Sequence, residues 1–330
     1  MQIDLRTVTI PALRQTFGHL ARRMGADKPA TRYMEATMDL QPVENFHYRP
    51  TWEPEFDIFD TRRTAIVMKD WYALKDPRQY YYGTWTLARA RMQETAEGDF
   101  ELVEQMGLAG AYPVEGRRRA LRVLLPLRHV AWAANLNDAT VASYSYGIAM
   151  SQATCYAAMD QLGIAQYLTR IAMAFDCVDE LTVGKKAWIE DPAWQGLRRF
   201  VEDLMVEKDW FGILFAQDFV LNGLLYPLVF EQFNDELNRS HGPVFALLTR
   251  FPCEWHGESA KWVDAVVKVA AAESPENKAL LRTWLARDLE RVQEALEPIA
   301  KLAFGEGAAV ALSAAQEQLE SRVAKCGLAS

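Results

Sequence analysis

Metal or acid–base chemistry in this sequence would have to start from five histidines: His19, His47, His129, His241 and His256. A carboxylate-bridged di-iron centre takes a Glu-x-x-His pair from each of two helices and one further Glu from each of two others. The residues three before the histidines are Thr16, Glu44, Pro126, Asn238 and Cys253, so Glu44–His47 is the single half-site. It lies in QPVENFHYRPTWEP, between Pro42 and Pro50. A helix long enough to project both side chains inward is not expected there. One half-site in a loop cannot chelate two irons. The pair is expected to make a polar contact with neighbouring backbone or a partner chain.

Other acidic–histidine or polar clusters point to structure rather than catalysis. Glu254, His256 and Glu258 alternate, which scatters them around a helix, and Pro252 and Gly257 predict a helix end or turn at the surface. Asp218 and Asn222 lie one turn apart in a strongly apolar stretch. Buried polar groups need partners, so a structural hydrogen-bond network is expected. HExxH, GxSxG, the Walker A loop and GxGxxG are all missing; FGEGAAV (304–310) lacks the third glycine and a preceding strand. No residue of this chain is expected to be catalytic, to bind a cofactor or to hold a metal.

The elements that would position such residues are helical. The 330 residues are half hydrophobic, enough for one large core, and strand-like alternation is nearly absent. Residues 9–24 read as a short amphipathic helix. Residues 26–80 are irregular and rich in Pro, Asp and aromatics, and are expected to lie across another surface, with Phe46, Tyr48 and Trp52 buried. Helices are predicted over 77–108, started by Asp76-Pro77 and disturbed at Gly98; 116–136, kinked at Pro126; 139–161, capped by Asn137-Asp138; 164–176, beyond Gly163; and 191–207. Residues 209–238 are apolar around nearly the whole circumference, would span roughly 45 Å as one helix, and should be bent at Gly223 and Pro227. Shorter helices are expected at 243–251, 259–272, 276–304 and 308–325. The division is an arm, 1–76, and a single helical domain, 77–330.

Charge and cysteine usage narrow the setting. A net charge of −8 argues against nucleic-acid binding, and the basic run GRRRALR (116–122) reads as a solvated helix face pairing with nearby Glu. Cys155, Cys177, Cys253 and Cys326 are scattered without a CxxC, as in reduced cytoplasmic proteins. No signal peptide is evident. The charge-free stretch 139–159 is long enough to cross a bilayer, but its Ser, Thr, Gln and Tyr predict a buried helix of small residues and no membrane. Ten tryptophans spread over all segments read as core and interface mass.

Three long segments carry a family resemblance: TFGHLARRMGADKPATRYMEATMDLQPVENFHYRPTWEPE (16–55), DPRQYYYGTWTLARARMQE (76–94) and EDPAWQGLRRFVEDLMVEKDWFGILFAQDFVLNGLLYPLVFEQF (190–233). They resemble the β subunits of the oxygenase components of bacterial multicomponent di-iron monooxygenases, in the phenol hydroxylase branch. The resemblance implies an all-α, ferritin-like (ribonucleotide-reductase-like) long-helix bundle with an extended irregular N-terminal arm. It further implies a non-catalytic β subunit with α and γ partners in an (αβγ)2 hydroxylase. Di-iron would be held by α, and a reductase with FAD and an iron–sulfur cluster would deliver electrons from NADH. A small cofactorless regulatory protein completes such a system, which converts phenol to catechol with O2. Where the α subunits carry Glu-x-x-His, the similar-looking stretch LPLRHVAWAANLN (125–137) has Pro126 and His129. VFALLTRFPCEWH (244–256) has Thr249 and Pro252 near the other expected Glu and His.

The alternatives are a toluene-type β subunit, a free-standing di-iron enzyme, or a helical scaffold unconnected with oxygenation. The second needs six ligands that the sequence does not offer.

Overall fold

A computed structural model describes residues 16–26, 28–41 and 49–329. Glu44, Phe46, His47 and Tyr48, and residues 9–15 of the helix expected over 9–24, lie outside these residues. Among the described residues the chain is helical without strands. Helices α1 (Gly18–Met24) and α2 (Arg32–Thr37) precede an irregular stretch. Then follow α3 (Tyr82–Gln105), the short α4 (Leu108–Ala111), α5 (Val114–Tyr144), α6 (Ile148–Ala174), α7 (Glu180–Glu190) and α8 (Pro192–Leu204). The continuous helix α9 (Trp210–His241) comes next, followed by α10 (Val244–Leu248), α11 (Arg250–Glu273), α12 (Pro275–Phe304) and α13 (Ala308–Lys325). The all-α long-helix bundle expected from the sequence is borne out.

Several helix starts follow directly from local chemistry. Asp191 accepts from the Ala193 N–H at 2.9 Å with Pro192 in the first turn, and Ser274 accepts from the Asn277 N–H at 3.1 Å with Pro275 after it. Each side-chain oxygen satisfies one of the donors that a helix leaves orphaned at its N-terminus. In α8 the buried residues Trp194, Leu197, Phe200, Val201 and Leu204 recur at helical spacing, which aims one face at the core.

Other boundaries differ from expectation. Asp76 does not start α3. Its carboxylate instead takes the Arg78 guanidinium at 2.9 Å, and the helix begins at Tyr82, with Gly98 inside it. Asn137 and Asp138 do not cap a helix: they are fully buried within α5, which runs through Pro126 and ends at Tyr144. The break falls at Gly147 (φ 93°), a conformation that favours glycine, so the stretch 139–159 is a corner between α5 and α6. Gly163 is interior to α6. Pro252 sits in the first turn of α11, where a missing N–H costs nothing, so Glu254, His256 and Glu258 belong to one continuous helix.

Helix α9 is the hub. Every residue from Trp210 to Phe230 is buried. It is long and apolar enough to cross a membrane, but its apolar stretch is wholly enclosed by the bundle. Two wide π-helical stretches, Phe215–Leu221 and Pro227–Phe233, interrupt it. Pro227 lacks the N–H that a regular turn would need there.

The segment before α3 lies across the bundle rather than apart from it. The Ala65 N–H donates to Asp209 at 2.7 Å, Asn277 exchanges two hydrogen bonds with the Val67 backbone, and the Lys69 N–H donates to Glu273. Ile66, Met68, Trp71 and Leu74 enter the core. Trp52 is a correction: it is 76% exposed on this chain, where burial was expected.

Candidate functional site

Four helices, α5, α6, α9 and α11, turn polar side chains into the middle of the bundle. From α5 come Asn137 and Asp138; from α6, Asp160 and Gln161; from α9, Gln217, Asp218, Asn222 and Tyr226; from α11, His256 and Ser259. All are buried.

The amides and carboxyls form a directed chain. Asn137 Nδ2 donates to Gln217 Oε1 (3.1 Å), Gln217 Nε2 to Asn222 Oδ1 (3.2 Å), and Asn222 Nδ2 to Asp218 Oδ1 (2.9 Å). Gln217 and Asn222 are five apart, and the π-helical stretch brings such residues onto one face. The Asp218 carboxyl in turn lies beside that of Asp138, and both oxygens of Asp138 and Oδ2 of Asp218 accept from no donor among the described residues. Burial, the largest cause, raises both carboxyls: Asp138 well above the ordinary range, with the neighbouring Asp218 adding to it, and Asp218 to about 6. The network expected around Asp218 and Asn222 is present.

A second cluster surrounds Asp160. Its Oδ1 accepts from Arg89 Nε (2.8 Å) and Trp85 Nε1 (3.2 Å), and its Oδ2 from Trp255 Nε1 (3.0 Å). Arg89 also clasps both oxygens of Glu258, which Arg78 reaches at 3.3 Å. Glu258 is therefore half of a structural ion-pair network and not a surface cap. Arg89 and Arg78 hold its carboxyl below the usual range against the opposing effect of burial.

The spacing on these helices can be compared with the donor set of a di-iron bundle. Near the centre, α6 carries the buried residues Gln161 and Ile164 three apart, and α11 carries His256 and Ser259. The other two helices offer Asp138 and Asp218. Neither pair is Glu-x-x-His: one reads Gln-x-x-Ile and the other His-x-x-Ser. Tyr226 Oη donates to Gln161 Oε1 at 3.3 Å, and the His256 ring stacks on Tyr226 at 5.0 Å. Burial holds His256 neutral, its pKa lowered to about 3. The void beside Gln161, Ile164, Asn222 and Tyr226 is about 10 Å³. That is barely room for one water. Two irons and their bridging groups do not fit these residues. Among the described residues no group of three or more His, Cys, Asp or Glu is arranged to hold a metal ion.

His129 is half-buried and stacks on Trp188 at 5.8 Å, while Thr249 hydrogen-bonds Asn234. Gln161, Ile164 and Ser259 escaped the sequence reading because an amide, an aliphatic and a hydroxyl carry no metal signal. Only the helix packing puts them in register.

The outer surface of α5 and α6 is unusual in another way. Between residues 130 and 168 both charged side chains, Asp138 and Asp160, are buried, so no exposed position there is charged. Trp132, Leu136, Met159 and Leu162 are exposed instead, and Asn135 donates to the Ala158 carbonyl at 2.7 Å, fastening the two helices along this stretch.

Comparison with known proteins agrees with this architecture. Residues 52–274 match the model of the methane/phenol/alkene hydroxylase family. The chain is 43% identical to the oxygenase component DmpL of phenol 2-monooxygenase from Pseudomonas sp. (strain CF600), across 100% of this chain and 99% of the relative. It is 42% identical to the oxygenase component MhpL of phenol 2-monooxygenase from Acinetobacter pittii (strain PHEA-2), across 99% and 98%. The crystal structure of xenon-pressurized phenol hydroxylase from Pseudomonas sp. OX1 contains a chain that superposes with a TM-score of 0.91 at 40% identity, covering 99% of both chains. With the fold, the full-length identity and the family model in agreement, this ferritin-like chain belongs to the methane/phenol/alkene hydroxylase family.

Proposed function

We propose that the chain is the non-catalytic β subunit of an aromatic, phenol-hydroxylating monooxygenase. The observation that carries this reading is the bundle centre: in a chain related over its whole length to phenol 2-monooxygenase oxygenase components, neither Gln161/Ile164 on α6 nor His256/Ser259 on α11 is a Glu-x-x-His pair. No residue of this chain is then catalytic, cofactor-binding or metal-ligating. The di-iron belongs to a partner α subunit. FAD and an iron–sulfur cluster belong to the reductase that draws electrons from NADH. The assembly is (αβγ)2, in the cytoplasm, completed by a regulatory protein.

What this chain contributes is a rigid surface. The arm, residues 1–76, and the helical domain, 77–330, hold the catalytic subunit in place. The charge-free face around Trp132, Leu136, Met159 and Leu162 suits burial against another chain, because apolar surface without charge has no desolvation cost to overcome.

Reconstitution tests this. Partner hydroxylase subunits assembled with and without this chain are assayed for NADH-dependent conversion of phenol to catechol, and iron is counted on the isolated chain. Activity that needs this chain, with iron only on the partner, is expected. About two irons per chain on the isolated protein would overturn the reading.

A further inference from the structure

Asp138 and Asp218 are buried on different helices and lie side by side: the residues just before them, Asn137 and Gln217, are hydrogen-bonded at 3.1 Å, and three of the four carboxyl oxygens have no donor among the described residues. Two carboxylates side by side without solvent cannot both be ionised. No other donor among the described residues reaches either oxygen of Asp138 or Oδ2 of Asp218. We propose that the pair is a site for a single proton, held between Asp138 and Asp218, which ties α5 to α9.

The direction of the amide chain places the proton. Asp218 Oδ1 already accepts from Asn222, the last link from Asn137 through Gln217, which stabilises Asp218 as the carboxylate. Asp138 receives no N–H, so its carboxyl is the acid and donates to Asp218.

The charged groups on the surrounding elements leave this assignment intact. On α6, Asp160 is neutralised by Arg89. On α11, His256 is uncharged. On α13, Arg322 pairs with Asp264 at 2.8 Å, and ahead of α3, Arg78 pairs with Asp76. These two arginines favour the ionised form of Asp218. On α12, the buried Asp288 pairs with Arg287 at 2.7 Å. On α9 itself, Tyr226 stays protonated, its pKa raised by burial.

The test uses the full chain in whatever assembly it purifies. Infrared spectra with isotope-labelled aspartate should show the C=O band of a protonated carboxylic acid near neutral pH and above. Asp138→Asn should remove it, since the amide N–H replaces the acid O–H. Folded-state pKa values raised above the unfolded ones give stability that is full at low pH and lost as pH rises. The unfolding constant of the wild type should therefore rise up to tenfold more per pH unit than that of D138N, over the range where Asp138 keeps its proton. No protonated band in the wild type overturns the proposal, and that measurement needs no variant. So do parallel pH profiles for wild type and variant. A wild-type melting temperature raised by Na⁺, Mg²⁺ or Ca²⁺, with the effect lost in D138N, overturns it in favour of a cation site.

Discussion

Arg89 and Asp160 form a buried ion pair, Nε to Oδ1 at 2.8 Å, that joins α3 to α6 inside the protein. The same guanidinium holds Glu258 on α11 with two further nitrogens. One side chain thus fastens three helices, and its removal leaves two carboxylates with part of their compensation gone. Arg89→Met should destabilise the chain by about 3–5 kcal/mol, the usual cost of stranding a buried charge. Urea unfolding of the two proteins measures it; a loss under about 1 kcal/mol would show that the pair is not isolated from solvent as described.

His256 makes the acid side of the stability profile predictable. Its folded pKa, lowered by burial to about 3, lies below the 6.5 of an unperturbed histidine. Such a group contributes stability above about pH 6.5, lost as pH falls toward about 3, because the unfolded chain takes up the proton first. The slope is about 1.4 kcal/mol per pH unit for one histidine. His256→Phe keeps a ring against Tyr226 and should flatten the profile between those limits. Thermal melts across the range would reveal an unchanged slope.

Gly184 on α7 sits against α5. A Cβ there would lie 2.9 Å from Leu125 Cβ, an atom fixed to its own backbone. Gly184→Ala should cost about 1–3 kcal/mol through overpacking, despite alanine's better helix propensity. Calorimetry of the variant decides between these opposing effects.

Trp132 is 53% exposed on the charge-free face. Trp132→Asp should leave the fold intact by circular dichroism yet weaken recovery with partner subunits by at least tenfold, since burying an unpaired carboxylate is costly. Full recovery of the assembly would locate the contact elsewhere.

Much of the fold was legible in the sequence because it is written locally. Asp191-Pro192 and Ser274-Pro275 act on their own first turns, and the apolar circumference of 210–230 can only be buried. The failures share a cause. Asn137 and Asp138 have the cap chemistry of a helix start, but Gln217 and Asp218, some eighty residues away, supply their partners, so the helix continues. Gly163 and Gly257 look like stops, yet neighbouring turns keep them helical.

The centre of the bundle divides in the same way. That the chain lacks two Glu-x-x-His pairs is a property of the sequence alone, countable from five histidines. Which residues meet at the centre is not, because the register of α5, α6, α9 and α11 is set by packing between segments distant in sequence. Only the tertiary structure puts Gln161 beside Tyr226, Tyr226 beside His256, and Asp138 against Asp218. Composition and periodicity decide which faces are buried; the meeting of two buried carboxyls, and the proton it demands, depends on where separate helices cross.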